Sequence, residues 1–240
     1  MIESNFGSII SAEIMVYINY TLLPVSIVYL HFDPRLAVEW VATQPTATYF
    51  IINSFNSTSV SLYGNATIQS NILTLTNSTP VQIGRALYPQ KIPTKNSSSL
   101  LPFSTSFIFA MAPTRHVLPG HGLVFLFTPV TGIRNTNAAQ NLGLFSRAVD
   151  GNSSNHVFGV EFDVFANEEF GDINDNHVGI DVNSLTSVNS TEAGYFRDQD
   201  EGFRRLQLNN GRINSASELE LLNFVNLFLV FLIKPIAECS

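Results

Sequence analysis

The stretch 161–181, EFDVFANEEFGDINDNHVGID, constrains this chain more than any other part of it. Glu161 and Asp163 stand two residues apart in the otherwise apolar run HVFGVEFDVF, residues 156–165. In a strand, side chains at i and i+2 point to the same face, so both carboxylates project together. Buried carboxylates need a partner, because an unpaired buried charge is costly. A loop with Asn167, Asp172 and Asn174 follows, and His177 opens the next apolar run, HVGIDV. Glu, Asp, Asp and His together suit a transition ion that accepts oxygen and imidazole, such as Mn²⁺. The remaining oxygens suit Ca²⁺, a hard cation that takes oxygen ligands, including amide and backbone carbonyls. One loop serves two ions if Asp163 and Asp172 bridge them.

Other readings of the same residues compete. Asp172, Asn174 and Asn176 imitate the start of an EF-hand loop, but the sixth position is His177 where Gly is required and the twelfth is Asn183 where Glu is required. The flanking segments also read as strands, so the EF-hand is rejected. A solvated acidic loop without any ion stays open on spacing alone. A hydrolytic site with Glu161 as base finds no support, since neither H-E-x-x-H nor G-x-S-x-G occurs.

The acidic stretch sits in a region, 49–213, that reads as all-β. Short apolar runs rich in β-branched and aromatic residues recur, among them ILTLT at 72–76, FSTSFIFAM at 103–111 and GLVFLFT at 122–128. Alternation in the second puts Phe103, Thr105, Phe107 and Phe109 on one side. The third is almost continuously apolar, which predicts a strand buried on both faces. Pro, Gly, Asn and Ser clusters separate the runs, the pattern of a sandwich or barrel. Residues 192–206 are too charged and irregular to read as a helix. Residues 1–48 lack clean periodicity and read as an extension. Residues 214–240 form an apolar tail whose core, 219–233, is shorter than the ~20 residues a membrane span needs. A buried helix or strand, or a short membrane-associated tail, are both open there.

Composition narrows the partners. With 45% hydrophobic and 13% charged residues in 240, the chain folds rather than remaining disordered. A net charge of −7 offers no basic patch for nucleic acid. The single cysteine, Cys239, excludes an intrachain disulfide. Glycosylation sequons occur at Asn19, Asn56, Asn65, Asn77, Asn96, Asn152 and Asn189. They lean towards the secretory pathway, although a composition rich in Asn, Ser and Thr generates several by chance. The apolar residues 14–30 make a poor signal peptide, with Glu3 and no basic residue before them.

The segment VEFDVFANEEFGDINDNHVGIDVNS resembles the metal-binding segment of the legume lectin family, and is most similar to lectin domains of plant L-type lectin receptor kinases. Further landmarks follow the family order: IINSFN at 51–56, IGRALYPQKIP, LPFSTSFIFAMAP, GHGLVFLFTP and LGLF at 142–145. The resemblance implies a concanavalin-like jelly-roll β-sandwich that binds carbohydrate and is not an enzyme. It implies Glu161, Asp163, Asp172 and His177 as ligands of a Mn-type ion, with Ser187 reaching that ion through water. It implies Asp163, Asn167, Asp172 and the backbone carbonyl of Phe165 as calcium ligands. The ions would fix the loops so that Asn167 and the ring of Phe165 meet the sugar. Glycans or glycoconjugates, at the cell exterior or plasma membrane, are the implied partners. A homodimer is left open.

Three departures from the family qualify that site. His121 stands where soluble legume lectins carry a sugar-binding Asp, and Gly120 matches the position that forms a cis peptide with it. A glycine pair that offers a backbone N–H to the sugar falls near Ala139 and Gln140. The likeness ends after LNNGRI at 208–213, so the domain reads as incomplete at its C-terminal end, without the last strands and specificity loop.

Overall fold

A computed structural model describes residues 9–10, 14–18, 48–52, 54–94, 103–112, 120–196, 202–211, 214–217 and 232–235. The described chain is all-β apart from three short 3-10 turns. A four-stranded antiparallel sheet runs in the order Asn189–Glu192, His177–Val182, Phe158–Asp163, Gly122–Phe127. A five-stranded sheet runs Leu232–Pro235, Asn214–Ser217, Phe103–Phe109, Ile14–Ile18, Thr48–Ile52. Three small sheets complete it, one pairing Ser61–Gly64 with Gly84–Leu87. Another pairs Gly194–Phe196 with Phe203–Arg205, where no helix was expected.

The two larger sheets face each other across one core. Phe107 meets Phe162 edge to face at 5.7 Å, and Phe109 meets Phe162 at 4.9 Å. The alternation in 156–165 explains this contact. Val160, Phe162 and Val164 point inward and are buried, joined by Val178 and Ile180 from the neighbouring strand. Each fully buried side chain of this size stabilises the fold by about 1.5–3 kcal/mol. Glu161 and Asp163, at the intervening positions, necessarily point the other way.

That second face is not left to water. Leu144, Phe145 and Leu185 pack over it from the loops, with Val124 and Leu126 beneath. The run 122–128 therefore has apolar contacts on both faces, as its composition predicts. Yet Gly122–Phe127 is the outer strand of its sheet among the described residues, and only Leu123 in it is buried. The expectation of full burial fails for that reason: an outer strand is covered above and below but not along its side.

The apolar tail enters the five-stranded sheet through Leu232–Pro235, antiparallel to Asn214–Ser217. Residues 219–231 lie outside the described residues. Among those described, no helix is long and apolar enough to cross a membrane.

Candidate functional site

Register builds the site. Asp163 pairs with His177, Glu161 with Gly179, and Gly159 with Asp181. Partners across an antiparallel ladder share a face, so Glu161, Asp163, His177 and Asp181 converge on the loop-covered side. All four are buried, at 0–3% exposure. Glycine at position 179 leaves room for Glu161 Oε1 and Ser187 Oγ, which a Cβ there would push aside.

One oxygen or nitrogen from each of Glu161, Asp163 and His177 lies within 4.8 Å of the others. His177 Nδ1 is 2.9 Å from the Asn174 carbonyl oxygen, which can only accept, so Nδ1 carries the proton. Nε2 is buried and meets no hydrogen-bond partner at good geometry, so it carries a lone pair in the neutral ring and a proton in the imidazolium. It faces Glu161 Oε1 at 3.3 Å and Asp172 Oδ1 at 4.0 Å. A bare nitrogen lone pair among three carboxylates is satisfied by a proton or by a metal cation. The donor set, imidazole with carboxylates, fits a transition ion.

The electrostatics say the same. Burial, with the charges of Glu161 and Asp172 added, pushes the Asp163 carboxyl up to about 7, against the lowering effect of the Phe165 N–H and His177. Burial also raises Asp172 and, well above the ordinary value, Asp181, to which the charge of Glu161 adds. Burial alone would lower the His177 pKa, but the hydrogen bond and charge of Glu161 and the charge of Asp163 hold it above the usual value. This cluster carries more negative charge than its surroundings tolerate without protons or a cation.

Ser187 closes the cluster directly. Its Oγ is 2.5 Å from Glu161 Oε1 and 3.0 Å from Asp181 Oδ1. A hydroxyl has one proton to share between the two carboxyl groups, and burial with the charge of Glu161 raises the Asp181 pKa. Sequence reasoning left Asp181 without a role. Its spacing of four from His177 and two from Gly179 was the available signal.

The loop after Asp163 is shaped by carboxylates accepting backbone N–H groups. Phe165 donates to Asp163 Oδ1 at 2.6 Å, and Asn167 donates to Asp172 Oδ2 at 2.6 Å. Gly171, at φ +80°, turns the chain back. Asn176, fully buried, anchors the loop's far end: its amide donates to the Leu206 carbonyl and accepts from the Leu208 N–H. Sequence reasoning treated Asn176 only as an EF-hand imitation.

At the loop's outer side, His121, Phe165 and Asn167 meet. His121 Nδ1 is 3.0 Å from Asn167 Oδ1, and the His121 and Phe165 rings lie 4.5 Å apart at 45°. The His121 carbonyl accepts from the Val164 N–H, tying the two segments together. No cis peptide occurs among the described residues, so the Gly120–His121 bond is trans. Gln140 lies on the 3-10 turn Ala139–Asn141, and among the described residues no hydrogen bond or ring contact joins it to the other three.

Comparison with known proteins places this arrangement. Residues 47–217 match the model of the legume lectin domain family. Over 171 residues the chain is 61% identical to the L-type lectin-domain containing receptor kinase VII.1 of Arabidopsis thaliana, covering 70% of this chain and 25% of that protein. The chain thus spans about a quarter of the length of the curated relatives it matches. Among solved structures it is similar to peanut lectin with a nine-residue peptide, at TM-score 0.58 and 28% identity, covering 71% of this chain and 69% of that one. It is also similar to lectin UEA-II complexed with galactose, at TM-score 0.53 and 27% identity, covering 68% and 66%. The chain belongs to the legume lectin domain family.

Proposed function

We propose that this chain is a glycan-binding domain, not a catalyst, whose binding loops are fixed by a Mn-type ion and Ca²⁺. The carrying observation is the unpartnered Nε2 of His177, buried against Glu161 and facing Asp172. Glu161, Asp163, Asp172 and His177 would hold the transition ion, with Ser187 as its outer support. Asp163, Asn167, Asp172 and the Phe165 carbonyl would hold calcium. The ions supply rigidity: they neutralise the carboxylates and hold the loop in one shape, which is preorganisation. Asn167 then offers its amide to sugar hydroxyls, Phe165 its ring to an apolar sugar face, and His121 and Gln140 further polar contacts.

Lectin UEA-II has been solved with galactose, which supports a sugar as the ligand class here. The lectin domain is assigned to residues 49–213. The secretory pathway fits a domain related to receptor kinases. It also fits the exposure of sequon residues Asn56, Asn65, Asn77, Asn152 and Asn189.

One observation favours a second reading, a degenerate lectin fold that does not bind simple sugars and acts by protein or hydrophobic-ligand contacts. His121 engages the Asn167 amide oxygen and packs against Phe165, so it fills space and uses an atom that the first reading needs. A glycan array with and without EDTA separates the two. Binding that is lost with EDTA, and lost in Asn167→Ala while bound metal is retained, supports the lectin. Absence of binding supports the second reading, and binding indifferent to EDTA overturns the metal-dependent site.

A further inference from the structure

The loop between the strands Phe158–Asp163 and His177–Val182 carries Asn167 and Asp172, and the 3-10 turn Glu168–Phe170 lies between those two residues. Hydrogen bonds close this turn on itself. The Phe170 N–H donates to the Asn167 carbonyl at 3.0 Å, and the Asp172 N–H donates to the same carbonyl at 3.5 Å. The Asn167 N–H donates in turn to Asp172 Oδ2 at 2.6 Å. Residues 167–172 are thereby tied into one unit. Whatever seats that unit on the body of the protein seats the side chains of Asn167 and Asp172 together.

Between the turn and the body, two contacts go to one segment of chain. The Phe170 ring packs against the small apolar cluster of Leu144, Phe145 and Leu185. One residue earlier, Glu169 pairs with Arg147 at 2.7 Å. Both partners of that ion pair are exposed, at 42% and 68%, and exposed pairs contribute little. The ring contact therefore decides the position of the turn. Ala166 and Ile173, on either side of it, are exposed and cannot stand in for the ring. The surface under the ring is firm. Leu144, Phe145 and Leu185 are buried, and the Leu185 N–H donates to Asp150 Oδ1 at 2.7 Å.

The cost that such an anchor removes is entropic. A loop without regular structure has to be ordered residue by residue. If an ion alone orders it, that cost is subtracted from the affinity for the ion. A ring docked on a packed surface removes much of the cost before any ion arrives.

We propose that Phe170 is a positioning residue for calcium: its ring, docked on Leu144, Phe145 and Leu185, holds Asn167 and Asp172 in place in the metal-free protein. This role rests on the calcium reading given above and adds an order of events to it. The loop is set from its apolar side first, and calcium then enters a site already shaped. The transition ion depends on the anchor less. Three of its four ligands, Glu161, Asp163 and His177, are placed by paired strands, and only Asp172 by the loop.

The test is calorimetric, with Mn²⁺ titrated into the metal-depleted protein and Ca²⁺ into the Mn²⁺-loaded protein, joined by amide hydrogen exchange in EDTA. Phe170→Ala is expected to weaken Ca²⁺ binding by at least roughly tenfold, the loss typical of removing a group that orients a ligand. Mn²⁺ affinity should stay close to its original value. Phe170→Leu, which still reaches the cluster, should recover most of the Ca²⁺ affinity. In EDTA the amides of Asn167, Phe170 and Asp172 should lose protection in Phe170→Ala, while those of Phe158–Asp163 and His177–Val182 keep theirs. A ring that only fills space would give equal losses for the two ions and loss of protection through both strands. That pattern overturns the role, and so does unchanged Ca²⁺ affinity. If Phe170→Ala does not fold, Phe170→Val takes its place with the same expected and overturning results. An unsubstituted protein that takes up Mn²⁺ but no Ca²⁺ overturns the calcium reading itself, and the role of Phe170 with it.

Discussion

His177 turns its protonated Nδ1 to the Asn174 carbonyl at 2.9 Å and its Nε2 to Glu161 Oε1 at 3.3 Å. The first contact fixes the tautomer, and the tautomer decides what the second can be. In the neutral ring two acceptors face each other in a buried place, so either a proton on Nε2 or a metal cation must come between them. A metal ion is the occupant the surrounding carboxylates fit.

From this relationship comes the first prediction. Glu161→Gln and His177→Ala should each weaken Mn²⁺ binding by at least roughly 10–100-fold, the loss typical of removing even an outer supporting group. Calorimetric titration of the metal-depleted protein measures it. Unchanged affinity in both variants would place the ion elsewhere.

The metal-free protein should lose stability as pH rises from about 4 to 7. Asp163 has its pKa raised to about 7 in the folded state, so between the ordinary carboxyl value and 7 the folded chain binds more protons than the unfolded one. Stability then falls with increasing pH across that window. His177, also raised, acts in the same direction, since its protonated form is favoured by the fold and lost as pH climbs through its folded pKa. Bound metal reverses the trend, because it needs the deprotonated ligands. Melting temperatures against pH, in EDTA and in Mn²⁺, should therefore have opposite slopes.

Gly179→Ala should destabilise the protein by about 1–3 kcal/mol, the cost of forcing a methyl group into a packed site. The methyl group would fall on Glu161 Oε1 and Ser187 Oγ, so metal affinity should drop in the same variant. Urea denaturation reads the first effect and calorimetry the second. A stable variant with normal metal binding would contradict the register described for these strands.

Asn176→Ala should cost about 1–3 kcal/mol for each group left unsatisfied. Both the Leu206 carbonyl and the Leu208 N–H lose their partner. Asn176→Asp keeps the acceptor for Leu208 and loses the donor to Leu206, so a less stable protein is expected there too. Thermal and urea denaturation of the two variants check both expectations.

The sequence by itself determined the strand character of 156–165 and 177–182, because a period of two is a local property of the backbone. It determined that Glu161 and Asp163 share a face, and that Val160 and Phe162 take the opposite one. The motif order also carried the family, which the match over 47–217 bears out. Tertiary structure decided the rest. Only register sets Glu161 opposite Gly179 and Asp163 opposite His177, since pairing joins residues whose separation along the chain carries no signal. Only packing shows that Asn176 anchors a loop and that Gly122–Phe127 is an outer strand among the described residues. His121 could be flagged as a departure, but its bond to Asn167 and its contact with Phe165 depend on where two separate loops meet. The alternation of a strand is written in neighbouring residues. The surroundings of a buried charge are written in residues brought together by folding.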